Sequence, residues 1–218
     1  MKGILFTESN FHLTIQGKKT MTRRIIKSRT GFFNVCSKNG IVTDIWQCDA
    51  NEYTGENLIL VNPRYKVGET VYLKEPYHVF DEENNLCLYK YPPKEDWMTD
   101  KEFSDIVHSL SELKGWHNKL FMPEKYARYF IKITNVRAER LQDISEEDCI
   151  REGITSYLLD PSKAYTHIKE YGIKDYMGGF NTPQEAYAAL INKINGKDTW
   201  DNNPWVWVYD YELKLNNK

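Results

Sequence analysis

The sequence predicts a mixed α+β protein, a small curved β-barrel with short helices around it. Three observations predict this. Apolar residues alternate with period two along several short runs, most clearly at Tyr129–Arg137 and from Trp205 to Leu215. Helical spacing is confined to a few short stretches, two of them opened by capping signals. No long alternation of strand with helix appears, so a doubly wound parallel sheet fits poorly.

Taken in order, residues 3–6 read as a strand. Residues 8–16 read as a helix, with Phe11, Leu13 and Ile15 apolar and Gly17 as its C-terminal stop, although the alternation also fits a strand. From Lys18 to Arg29 the chain holds six Lys or Arg and no acid. Asn39-Gly40, between Phe33-Asn34-Val35-Cys36 and Ile41-Val42-Thr43, is a hairpin turn signal. Leu58–Val61 and Glu69–Lys74 read as further strands. Residues 80–115 have the look of an insertion: Leu86–Tyr91 reads as a strand, Pro92-Pro93 breaks the chain, and Lys101–Leu113 has helical spacing. Ser145-Glu146-Glu147-Asp148 opens a helix that should end near Gly153, with acids where the helix dipole favours them. Residues 155–182, rich in Tyr and Gly, read as a loop region. Thr182-Pro183-Gln184-Glu185 starts a helix that Asn195-Gly196 ends.

Composition narrows the function classes. The 218 residues carry 29 Lys and Arg against 31 Asp and Glu, a net charge of -2. A global basic footprint for nucleic acid is therefore missing, and any such binding is local. With 41% hydrophobic and 28% charged residues the chain supports a core and an ordinary surface. No apolar run is long enough to span a membrane. Met1-Lys2-Gly3-Ile4-Leu5-Phe6-Thr7-Glu8 meets acid too early for a signal peptide. The expectation is a cytoplasmic protein with no membrane partner. Cys36, Cys48, Cys87 and Cys149 form no Cys-x-x-Cys pair and have no His at metal spacing, so no metal or cofactor is expected and free thiols are.

Chemistry concentrates in a few places. In Gly17-Lys18-Lys19-Thr20-Met21-Thr22-Arg23-Arg24, strand alternation puts Thr20, Thr22 and Arg24 on one face and Met21 and Arg23 on the other. A lysine there can bind a phosphate or base edge, or lose its proton if burial and neighbouring cations lower its pKa. The plainer alternative is a solvated basic loop. Glu152 sits at a helix C-terminus, where the dipole disfavours it. Glu75, leaving a strand end, can orient a ligand or pair with a base. Trp205 and Trp207 can pack in a core or stack on bases. No Ser-His-Asp set, Walker loop or dinucleotide fingerprint is visible.

The spacing Gly-x-Lys-x-x-Thr-x-Arg, met by Gly17, Lys19, Thr22 and Arg24, resembles the N-terminal signature of the ASCH domain superfamily, whose β-barrel is related to the PUA fold. The commoner form carries Glu where this chain has Thr22. Lys19–Arg24, Val67–Glu75, Phe121-Met122-Pro123, Glu139–Asp148 with Glu152-Gly153-Ile154, and Trp200–Trp207 resemble the ASCH-like proteins of phages and prophages. The resemblance covers roughly residues 1–30, 63–77, 116–154 and 183–212. It implies one PUA-like domain over 1–218, with insertions at about 31–61, 78–115 and 155–182. It also implies a cleft for RNA, a nucleotide or a modified nucleoside. Lys18, Arg23 and Arg24 would hold phosphate there, Glu75 would orient the ligand, and Trp205 and Trp207 would stack a base.

One bacterial branch is an amidohydrolase that removes the acetyl group of 4-acetylcytidine. Its Lys, Thr and Glu resemble Lys19, Thr22 and Glu152. The resemblance then implies Lys19 as base, Thr22 as nucleophile and Glu152 as orienting or proton-shuttling group. That role needs a neutral Lys19, which Lys18, Arg23 and Arg24 favour and Glu152 opposes. A third reading is a phage accessory protein that acts through protein contacts made by the insertions.

Overall fold

A computed structural model describes residues 1–27, 33–39, 41–48, 58–81, 83, 86–90, 98–112, 114–158, 169–173 and 177–214. The chain is mixed α+β, mostly sheet with few helices. Its order is β1 (Lys2–Leu5), α1 (Glu8–Ile15), β2 (Met21–Ile25), β3 (Phe33–Lys38), β4 (Ile41–Cys48), β5 (Leu58–Leu60), β6 (Thr70–Lys74), β7 (Tyr77–Asp81) and β8 (Leu86–Tyr89). Then follow α2 (Asp100–Glu112), β9 (Phe130–Arg140), α3 (Glu146–Arg151), β10 (Thr155–Leu158), β11 (Lys169–Ile173), β12 (Met177–Phe180), α4 (Pro183–Asn195) and β13 (Trp205–Lys214). Among the described residues no helix is long and apolar enough to cross a membrane.

The chain divides into two compact units. The first comprises Met1–Lys18, Thr70–Lys132 and Glu212–Lys218. In it β1 runs parallel to β6, from Lys2↔Val71 to Leu5↔Lys74, and β6 pairs antiparallel with the start of β9. Alternation places Val71 and Leu73 in the core, where Phe11 of α1 is also buried. Thr7 caps α1 by accepting the Asn10 N–H. At the other end Lys18 N–H reaches Leu13 O and Gly17 N–H reaches Thr14 O, a Schellman close that needs the positive φ of Gly17, +70°. The alternation that also fitted a strand here is thus resolved by the caps.

The second unit comprises Lys19–Glu69 and Ile133–Tyr211. The rest of β9 neighbours β13, which pairs antiparallel with β2 from Val206↔Ile25 to Asp210↔Met21. β3, β4 and β5 form an antiparallel sheet, and the hairpin signal works as read: Lys38 pairs with Ile41, and Asn39 has φ +53°. Gly40 lies outside the described residues, as do Tyr91, Pro92 and Pro93.

One expectation is corrected. Within 155–182 the described residues form a sheet, β10-β11-β12, with Thr155 opposite Gly172 and Tyr171 opposite Phe180. Glycine and tyrosine gave no alternating pattern, and these strands owe their form to their ladder partners rather than to propensity.

Candidate functional site

The site is built inside the second unit, beginning at the end of α3. Ser145 Oγ accepts the Asp148 N–H at 3.1 Å, and Glu146, Glu147 and Asp148 occupy the first turn. Glu152 is the C-cap, and Gly153 at φ +101° turns the chain away. Thr20 donates its N–H to Arg151 O and accepts from Tyr211 N–H, so the segment before β2 is clamped beside that helix end. Replacing Ser145 with alanine is expected to cost about 1 kcal/mol of stability, the usual worth of such a cap; thermal unfolding of the variant checks it.

Lys19 is 1% exposed. Its Nζ donates to the Glu152 carbonyl at 2.7 Å and to Glu152 Oε2 at 2.5 Å. Burial lowers the Lys19 pKa; Glu152 opposes that shift, and Arg24 and Arg23 add to it. Arg23, whose side chain is wholly buried, donates to Glu139, to Asp148 at 2.7 Å and to Glu152 at 3.4 Å. Burial works against its charge, but Glu152, Tyr187 and Glu139 raise its pKa and keep it a cation.

The lattice continues outward. Arg137 reaches Glu139 at 3.2 Å, Asp148 at 2.7 Å and Asp210 at 2.8 Å. Arg151 pairs with Asp210 and Asp148, and Asn135 donates to Asp210 at 3.0 Å. Strand alternation explains the set: Asn135, Arg137 and Glu139 share one face of β9, and Arg23 and Asp210 lie toward α3 from β2 and β13. Lys19, Arg23, Arg137 and Arg151 balance Glu139, Asp148, Glu152 and Asp210, so the lattice is formally neutral. Cys149 of α3 is buried, and burial chiefly pushes its thiol up to about 12. The buried Tyr187 of α4 has its hydroxyl held well above the usual range by burial, then by Glu152; its ring lies 6.0 Å from Arg23.

Of the residues singled out from sequence, the structure joins Lys19, Glu152 and Arg23. Thr22 is buried, but alternation turns it to the opposite face of β2, beside its register partner Tyr209, and among the described residues its side chain makes no hydrogen bond. Arg24 is half-buried opposite Trp207. Trp205 and Trp207 pack on Ile26, Ile45 and Ala138, and Arg140 covers the Trp205 ring at 4.5 Å. Lys18 is exposed. Glu75 belongs to the first unit, fully buried and bidentate with Arg128 at 2.7 and 2.6 Å. Burial raises the Glu75 pKa, against the hydrogen bonds and charge of Arg128. Sequence reasoning missed Arg137, Glu139, Asp148, Asp210 and Tyr187. The i, i+2 run of hydrogen-bonding residues at 135, 137 and 139, continuing past the apolar Ile131 and Ile133 on the same parity, was the available signal.

No family model, curated protein or solved structure matches the chain. Among the described residues no cluster of three or more His, Cys, Asp or Glu suits a metal ion.

Proposed function

We propose that the protein is an ASCH-type domain of PUA-like barrel form, of the kind phages and prophages encode, that binds a nucleoside or a short stretch of RNA at Lys19 and Glu152. The observation that carries this reading is the buried Lys19–Glu152 pair. The signature loop and the end of α3 are separate parts of the resemblance, 133 residues apart in sequence, and their two ionisable side chains meet. Together they offer an N–H donor beside a carboxylate acceptor, the complement of an amide or a base edge. The neutral lattice favours a small ligand over long RNA, because cations already held by carboxylates release few counterions. A cytoplasmic setting accords with free thiols at Cys36, Cys87 and Cys149.

The lowered pKa of Lys19 favours a second reading, hydrolysis of 4-acetylcytidine-like amides. Neutral Lys19 would take the Thr22 hydroxyl proton as the Thr22 oxygen adds to the acetyl carbonyl. The C–N bond would then break, with the Lys19 proton passing to the leaving amine. Water would release acetate from the acylated Thr22, returning the proton to the hydroxyl. This requires the ligand to bring Thr22 within reach of Nζ.

The test is calorimetric titration with 4-acetylcytidine, with chromatography of the products, for wild type, Lys19→Ala and Thr22→Ala. Binding that is lost in Lys19→Ala, kept in Thr22→Ala and unaccompanied by cytidine release supports recognition alone. Cytidine and acetate released by wild type and by neither variant support hydrolysis. Absence of both binding and release at millimolar ligand rejects the two readings for this nucleoside.

A further inference from the structure

In the first unit, the 3₁₀ turn Lys119–Phe121 holds the most exposed large apolar side chain among the described residues, Phe121 at 75%. The turn is braced on every side. Asn118 caps it by accepting the Leu120 N–H at 2.8 Å, and Met122 N–H closes onto Lys119 O at 3.2 Å. Met122 is buried, and its carbonyl accepts the Tyr72 hydroxyl at 2.9 Å. Lys74 Nζ donates to Leu120 O at 2.6 Å, and Lys119 Nζ to Phe6 O at 2.7 Å. The ring is therefore held out by a rigid support.

Lys74 and Lys119 bring ammonium groups to this turn. Nearby acids include Glu8, whose charge acts on Lys119, while Glu124 accepts the Met1 amine. One ring and the neighbouring Leu120 do not make a broad apolar patch. Protein hot spots sit within a contiguous desolvated area, whereas a lone ring bracketed by amines matches one base and its flanking phosphates.

We propose that Phe121 is a stacking platform for a base of single-stranded RNA, whose phosphates meet Lys74 and Lys119. This rests on the reading of the protein as one with a nucleic-acid ligand, and assigns the first unit a contact of its own.

The test is fluorescence anisotropy with labelled single-stranded uridine and adenosine 10-mers and a duplex of equal length, at two salt concentrations. Phe121→Ala is expected to weaken single-strand binding about tenfold with an unchanged salt slope, Phe121→Trp to restore it, and Lys119→Ala to lower the slope. Because Phe121 is exposed, circular dichroism of its variants should match wild type. Single-strand binding equal in wild type and Phe121→Ala overturns the proposal, and so does a preference for duplex or the absence of RNA binding. Wild type that binds 4-acetylcytidine but no RNA would refute the platform and leave the Lys19 reading standing; loss of both would refute both. A Phe121→Ala variant that binds RNA normally but loses a protein partner would assign the ring to a protein interface instead.

Discussion

Lys19→Met is expected to destabilise the protein by about 3 kcal/mol and to abolish ligand binding at the site. The stability loss has a direct cause. Glu152 would keep its burial and lose its closest cation, and among the described residues its other ion pair is with Arg23 at 3.4 Å. Removing one partner of a buried pair costs about 3–5 kcal/mol, because the remaining charge stays desolvated. The double variant Lys19→Met with Glu152→Leu should cost less than the sum of its parts, and denaturant unfolding of all four proteins gives the coupling. A pH signature accompanies it. The folded Lys19 pKa is lowered, so between that value and the ordinary lysine range the unfolded chain binds more protons. Stability therefore rises with pH through that window in wild type, and Lys19→Met removes this slope. If the variant unfolds with wild-type stability, Lys19 is not the buried cation described.

Arg23→Leu is the second large effect, expected at about 3–5 kcal/mol or more. Arg23 is the residue through which Glu139, Asp148 and Glu152 are held near one another, and its guanidinium is fully buried. Without it, among the described residues, Glu139 keeps Arg137, Asp148 keeps Arg137 and Arg151, and Glu152 keeps Lys19, so three desolvated carboxylates lose the guanidinium they share. Denaturant unfolding of the variant beside wild type measures the deficit. Arg23→Lys should rescue only in part, since an ammonium cannot reproduce the planar fork that reaches three acids. Wild-type stability in Arg23→Leu would show that Arg23 does not hold the three acids together.

Much of this was legible beforehand where a local rule suffices. The Ser145 cap, the Gly17 stop and the Asn39 hairpin follow from short-range hydrogen bonding and backbone sterics, and each stands where its residues put it. Glu152 stands at the helix end where the sequence put it, and the Lys19 ammonium offsets that unfavourable place. Thr22 was read on the face opposite Arg23 and lies there.

The sequence by itself determined the α+β character, the caps and turns and the alternation of β2, because periodicity and spacing act over a few residues. Tertiary structure alone decided which charges share the lattice. Arg23, Arg137, Arg151 and their four acids lie on three strands and a helix, and no local pattern states that they meet. It likewise decided that Glu75 is bound to Arg128 in the other unit, and that 155–182 contains a sheet. Burial is the common reason: the energy of a charge, and the identity of a weak strand, depend on neighbours that only the folded chain brings close.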